Sequence, residues 1–259
     1  MRLVGAAFAA VALLASAHRA AAPVRYVAYL PAGYATSGLR YPVVYFLHGL
    51  PATGTSYRSI GWLEHALDAA GKPAILVAPQ GATEQDADPE YLGRWETAIA
   101  TELPRLVDAR YRTIASRSGR ALVGVSAGGY GAMHIAFDHL GEYSAVESWS
   151  GYFHPTDPTG EMPLDLGSAS RNAAANVHRQ LATLEGRLDR DPLYIAFYIG
   201  KDDTYTQFVA ENETFNQELS AAGIAHVFRL YPGGHSQSLW AAEAPAWLRL
   251  ALNHLSAAR

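Results

Sequence analysis

The sequence contains no cysteine, which excludes disulfide staples, a thiolate nucleophile and thiolate-bound zinc or iron–sulfur centres. Charge is sparse too. Only 17% of the 259 residues are Asp, Glu, Lys or Arg, and 20 basic against 24 acidic side chains leave a formal charge of −4. No run of Lys and Arg stands out, so the electrostatic footprint of a nucleic-acid surface is missing. No apolar run reaches the roughly twenty residues that a membrane helix requires. What is present is apolar material, 49% of the chain. That is ample for a globular core and far from the composition of disordered, collagen-like or coiled-coil chains. At this length a single large α/β domain is the starting expectation.

Met1 and Arg2 precede an alanine-rich apolar stretch, Leu3–Ala17, that closes on Ala15-Ser16-Ala17. A positive start, a short greasy centre and small residues at the end form the layout of a secretory signal peptide. Residues 1–17 are therefore predicted to be a signal peptide and residues 18–259 a single domain. The expected location is outside the cell or in the periplasm or cell envelope; an uncleaved leader would leave the chain cytoplasmic.

From Val24 onward, apolar runs alternate with helically spaced ones. Val24–Leu30, Tyr41–Leu47, Ala74–Ala78, Ala121–Val125, Ser144–Trp149, Leu193–Ile199 and His226–Leu230 read as strands. Ser56–Ala70, Glu96–Tyr111, Gly129–Leu140 and Phe208–Ala222 read as helices, with a kink expected at Pro104. Pro245 is expected to open a closing helix, where its missing N–H costs nothing. Strand–helix alternation with nearly continuous apolar strands implies an α/β class, a mostly parallel sheet with helices on both faces. Two irregular stretches, Gln80–Arg94 and Gly151–Ala169, have the length of functional loops.

One pattern carries chemistry. Gly124-Val125-Ser126-Ala127-Gly128 matches G-x-S-x-G, between a strand and a helix. In that setting the serine occupies a strained turn and its hydroxyl faces out at a helix N-terminus, where the dipole favours developing negative charge. A serine hydroxyl is a poor nucleophile without an adjacent base. Of the ten histidines, His235 stands in Pro232-Gly-Gly-His235-Ser, directly after the last expected strand and on the same sheet edge as Ser126. His48 reads as structural. The order Ser…Asp/Glu…His then asks for an acid between the two, and Asp202 and Asp203 both follow the strand Leu193–Ile199. Attack on a carbonyl also needs N–H donors for the alkoxide. Ala127 supplies one, and Leu50, just past the strand end at His48-Gly49, is the candidate for the other.

These residues and their neighbours together resemble the esterase family of α/β hydrolases that includes esterase D (S-formylglutathione hydrolase), feruloyl and acetyl xylan esterases and the mycolyltransferases of the antigen 85 type. The matching pieces are Tyr29–Tyr34, Tyr41–Leu50, Trp95-Glu96 with Glu102-Leu103, Gly124–Gly129, Gly200–Asp203 and Gly233–His235, in family order along nearly the whole chain after the leader. The resemblance implies an α/β-hydrolase fold, a triad of Ser126, Asp203 and His235, and oxyanion donors at Leu50 and Ala127. It chooses Asp203 because the family acid lies three residues after a glycine, here Gly200. Family members often carry another strand or two before the first motif, which implies either a sheet trimmed at that edge or a leader that belongs to the domain.

The expected function is a secreted serine esterase working through an acyl-enzyme on Ser126, with no metal and no organic cofactor. An acyltransferase that moves an acyl group to a sugar hydroxyl needs the same triad and stays open. A non-catalytic binding protein on the same fold is the alternative from a different class. The expected partner is a small-molecule or carbohydrate ester, with no nucleic acid and no stable membrane span. Trp149, Tyr152 and Phe153 are candidate substrate-binding aromatics at the end of one strand, unless they merely anchor their own loop. If the leader is cleaved, protein recovered from the growth medium begins near His18 on N-terminal sequencing; an intact Met1 on a cytoplasmic chain overturns export.

Overall fold

Seven strands form one sheet in the computed structural model, which describes residues 24–83, 90–157, 159–160 and 162–259. The expected leader, residues 1–17, lies outside the described residues. The strands are β1 (Tyr26–Tyr29), β2 (Val43–Leu47), β3 (Ile75–Pro79), β4 (Arg120–Val125), β5 (Ala145–Trp149), β6 (Tyr194–Gly200) and β7 (Val227–Tyr231), in spatial order β1-β3-β2-β4-β5-β6-β7. All neighbours pair in parallel except β1, which runs antiparallel to β3 at the edge. The helices are α1 (Tyr34–Ser37), α2 (Gly61–Ala69), α3 (Arg94–Thr97), α4 (Leu103–Arg110), α5 (Ala127–Asp138), α6 (Ala169–Ala174), α7 (Val177–Leu188), α8 (Thr206–Ala221) and α9 (Gln237–Asn253).

The apolar strands sort their side chains by alternation. Val43, Tyr45 and Leu47 of β2 join Leu122, Val146, Ile195 and Phe197 under α4, α5, α7 and α8. Val44 and Phe46 turn the other way, with Val123, Trp149 and Tyr198, against Leu63 and Leu67 of α2 and Trp247 and Leu248 of α9. Side chains on successive strand residues point to opposite faces, so a strand apolar at every position demands cover on both. The chain reverses its strand order between β2 and β4, whose C-terminal ends pair at Leu47 and Gly124. In open α/β sheets the crevice at such a switch point is where ligands bind.

Pro245 does not open the last helix. It lies inside α9, which begins after Ser236, whose side chain accepts the Leu239 N–H. A mid-helix proline costs about 3 kcal/mol, and the burial of Leu239, Ala244, Trp247, Leu248 and Ala251 along α9 offsets it. Pro104, where a kink was expected, lies in the first turn of α4 directly after a π-helical segment, Ala98–Glu102; both features are recognised sites of helix bending. The structure also adds α6 and α7 after the irregular stretch. The spacing of Val177, Leu181, Leu184 and Leu188 is the signal that marks α7.

One buried ionisable group stands out in the sheet. Glu147 of β5 is fully buried, accepting hydrogen bonds from Trp149 Nε1 at 3.0 Å and the Tyr198 hydroxyl at 3.4 Å. Burial pushes its carboxyl from an ordinary 4.5 up to about 8, against the lowering effect of those hydrogen bonds. Below pH 4.5 the group is protonated folded and unfolded alike. Above it the unfolded chain releases the proton while the folded chain holds it, so stability falls as pH rises toward 8. Glu147→Gln is expected to remove a slope of up to about 1.4 kcal/mol per pH unit in this window. Urea titrations of both proteins at pH 5.5 and 7.5 read it; parallel losses in the two proteins contradict the assignment.

Candidate active site

Ser126 ends β4 and precedes α5 with φ 56° and ψ −124°, a combination that a non-glycine residue holds only when its surroundings impose it. The surroundings are backbone. A Cβ on Gly124 would stand 1.9 Å from the Gly128 carbonyl oxygen, and one on Gly128 would stand 2.1 Å from that of Leu47. Only glycine at both positions lets β2, β4 and the start of α5 close on each other. The turn is pinned by the Ser126 N–H donating to the Trp149 carbonyl at 2.9 Å.

His235 reaches the serine from the loop after β7. Its Nε2 lies 3.0 Å from Ser126 Oγ and its Nδ1 lies 2.9 Å from Asp203 Oδ2. Asp203 follows β6, its side chain is fully buried, and its other oxygen accepts the Tyr205 N–H at 2.9 Å. A carboxylate fixed in this way holds the Nδ1–H tautomer and leaves Nε2 to accept the serine proton. The rings of Tyr205 and Trp240 stand edge-on to the imidazole at 5.1 and 5.2 Å. Trp240 Nε1 donates to Ser150 Oγ at 2.9 Å, which ties the first turn of α9 to the end of β5.

The structure therefore brings Ser126, His235 and Asp203 together and separates the two aspartates. Asp202 is exposed, yet not simply solvated: its Oδ2 accepts the Gly233 N–H at 3.2 Å and its N–H donates to the Gly233 carbonyl at 2.9 Å. It thereby positions the histidine loop. Leu50 lines the same pocket as Ser126 and His235, and Ala127 is the buried first residue of α5. His48 is structural. It is buried, and burial lowers its pKa; Nε2 accepts the Gly81 N–H and Nδ1 donates to the Gly49 carbonyl.

The substrate-binding candidates divide. Tyr152 lines the pocket. Trp149 and Phe153 do not. Trp149 is fully buried against Phe46, Trp62 and Trp247 on the α2–α9 face, because strand alternation sends it away from the pocket. Phe153 is fully buried against Phe197 and Phe215. Its loop is anchored by Glu211 of α8, which accepts the Phe153 N–H at 3.1 Å and contacts His154 Nδ1 at 2.5 Å and His178 Nε2 at 3.1 Å. Burial alone would raise the Glu211 pKa, but the two histidines hold it below the ordinary carboxylate value. Sequence reasoning missed Pro51, Thr156, Thr159, Gly160, Tyr205 and Phe208, which complete a cavity of about 110 Å³. Tyr205 had a local signal, two residues beyond the acid; the others come together only through folding.

Residues 18–249 match the family model "Putative esterase". Esterase Rv1288 of Mycobacterium tuberculosis is 31% identical over 234 residues, covering 80% of this chain. The chain spans about half the length of that relative, 51%. A solved ferulic acid esterase superposes with a TM-score of 0.73 at 22% identity, covering 89% of this chain and 92% of its own. An S-formylglutathione hydrolase from Agrobacterium tumefaciens gives 0.71 at 19% identity, with 90% of each chain covered.

Asp203→Asn is expected to lower ester turnover by about 10⁴, because the amide imposes the wrong imidazole tautomer. Asp202→Asn keeps an oxygen for the Gly233 N–H and is expected to stay within a few-fold of the unaltered protein. Steady-state assays of both variants on one p-nitrophenyl ester check the pair; a collapse in Asp202→Asn alone reverses the assignment.

Proposed function

The chain belongs to the esterase family of α/β hydrolases, and from that membership we propose that it is a serine esterase acting on small carboxylic esters through an acyl-enzyme on Ser126. The observation that carries this reading is the hydrogen-bonded series from Ser126 Oγ through His235 to the buried Asp203. His235 Nε2 takes the serine proton as Oγ attacks the ester carbonyl, and Asp203 stabilises the resulting imidazolium. The N–H groups of Leu50 and Ala127 receive the alkoxide, with the N-terminus of α5 adding its positive end. His235 then protonates the departing alkoxide. Water, deprotonated by the same imidazole, attacks the acyl carbon and returns free serine and acid. Each proton moves through the histidine, so the reaction calls for no metal and no organic cofactor.

The cavity beside Ser126, about 110 Å³, is well below the ~300 Å³ at which drug-sized ligand pockets begin. That supports a short acyl group over a long one, and hydrolysis over transfer of a long acyl chain to a sugar. Export is part of the proposal and rests on the Leu3–Ala17 pattern alone. Among the described residues no helix is long and apolar enough to cross a membrane.

Acetyl and butyryl p-nitrophenyl esters are expected to turn over at least tenfold better, in kcat/KM, than dodecanoyl or longer ones. Ser126→Ala is expected to lose on the order of 10⁶ in turnover on any of them while keeping its circular dichroism. A purified Ser126→Ala protein retaining a few per cent of activity sinks the nucleophile, and a long-chain preference sinks the short-acyl reading.

A further inference from the structure

A second set of polar side chains gathers on the distal half of α5. His134 and Asp138 lie one turn apart on the same helix face, and Glu96 reaches them from α3. His134 Nε2 stands 3.7 Å from Glu96 Oε2 and 3.9 Å from Asp138 Oδ2. Both separations are too long for direct hydrogen bonds, although the His134 side chain is only 4% exposed. One ligand atom from each of the three residues lies within 4.8 Å of the others. A first-row divalent ion, bound at about 2.0–2.2 Å, holds its ligands roughly 3.0–3.5 Å apart, so a small inward closure of these side chains brings all three within bonding distance of one ion.

The outer partners also have the form that ligating residues need. A metal-binding imidazole keeps its second nitrogen as an N–H held by an acceptor. His134 Nδ1 lies 3.2 Å from the Gln180 amide, whose Oε1 is buried without a hydrogen-bond partner. A half-turn of that amide, which exchanges its oxygen and nitrogen, lets Oε1 accept Nδ1–H and leaves the Nε2 lone pair facing the two carboxylates. His139 Nε2 lies 3.0 Å from Glu96 Oε1 and sets that carboxylate's rotation, so that Oε2 faces His134. With a neutral imidazole the three ligands themselves carry two negative charges; the basic groups nearby are His139, bonded to Glu96, and Arg171, on the cavity wall. An adjoining cavity of about 470 Å³, lined in part by Leu92, Gly93 and Arg171, gives it a way in.

We propose that Glu96, His134 and Asp138 form a binding site for a divalent transition ion of the Zn²⁺ or Co²⁺ class, its remaining positions filled by water. The mixed nitrogen and oxygen donor set suits these ions better than Ca²⁺, which takes oxygen throughout. The site is structural. It lies about eight residues along α5 from Ser126, roughly 12 Å at 1.5 Å per residue, and ester hydrolysis does not use it. It clamps α3 to α5, and a ring column links it to the pocket wall: Tyr130 stacks on His134 at 5.8 Å and on Tyr152 at 5.6 Å.

The test uses the full chain stripped with chelator, titrated with CoCl₂ by visible absorption and with ZnCl₂ by calorimetry and thermal melting. The expected result is one ion per chain at micromolar Kd or tighter, a d–d band of a nitrogen–oxygen site and a rise in Tm. His134→Gln and Asp138→Asn should each weaken binding at least tenfold and abolish the Tm rise, with ester turnover of Asp138→Asn unchanged. Should His134→Gln fail to fold, the exposed Asp138 decides alone. No uptake by the unaltered chain, or uptake of equal affinity in the variants, overturns the site whether or not the protein is an esterase.

Discussion

Everything at the active edge hangs on one close approach, the contact of the Gly124–Gly128 turn with itself and with the end of β2. With a Cβ at either glycine, backbone atoms would meet at about half a normal contact distance. With none, β2, β4 and α5 lock together, and Ser126 is held in a conformation that costs on the order of 1–3 kcal/mol. The strained serine is the visible result: its hydroxyl leaves the backbone at the switch point of the sheet, at the head of a helix, with the β2 loop beside it. The fully buried strands on both sides supply the rigidity that such strain requires.

His235 and Asp203 reach this fixed point on loops rather than on sheet. Two short connections, one after β6 and one after β7, are stitched together by backbone and side-chain contacts between Asp202 and Gly233. Asp203 and His235 thus occupy the same small volume although 32 residues separate them. The edges of Tyr205 and Trp240 complete the housing of the imidazole. A site built from loop ends on a rigid sheet can change its substrate by changing loops while its chemistry stays put.

Behind the pocket, the molecule carries more withdrawn polar groups than the Ser126–His235–Asp203 series uses. Glu147 lies inside the sheet, Glu211 in the α7–α8 corner, and the half-buried Glu96 of α3 beside His134 of α5. Each has found hydrogen-bonding partners, and each sits where a neighbouring element must be held in place: α9 on the sheet, the Tyr152 loop on α8, and α3 on α5. Carboxylates withdrawn from water are costly unless partnered, so their placement on three separate junctions makes each junction sensitive to protonation.

What the sequence determined by itself follows from local physics. Continuous apolar strands alternating with helices required a parallel sheet covered on both faces, and the glycines around Ser126 required a tight strand-to-helix turn. Those signals need only near neighbours, which is why the fold class was legible, together with the candidate positions Ser126, His235 and the Gly200–Asp203 stretch that the structure brings to one place. Tertiary structure decided what depends on direction and on distant partners. Strand alternation turned Trp149 into the core, α8 drew Phe153 in after it, and Tyr152 alone of the three candidates stayed at the pocket. The core contacts of α9 overrode the helix-opening preference of Pro245. The gathering of Glu96, His134, Asp138 and Gln180 spans three helices, and no periodicity in the chain encodes it, because side chains that far apart meet only once the sheet has brought their helices together.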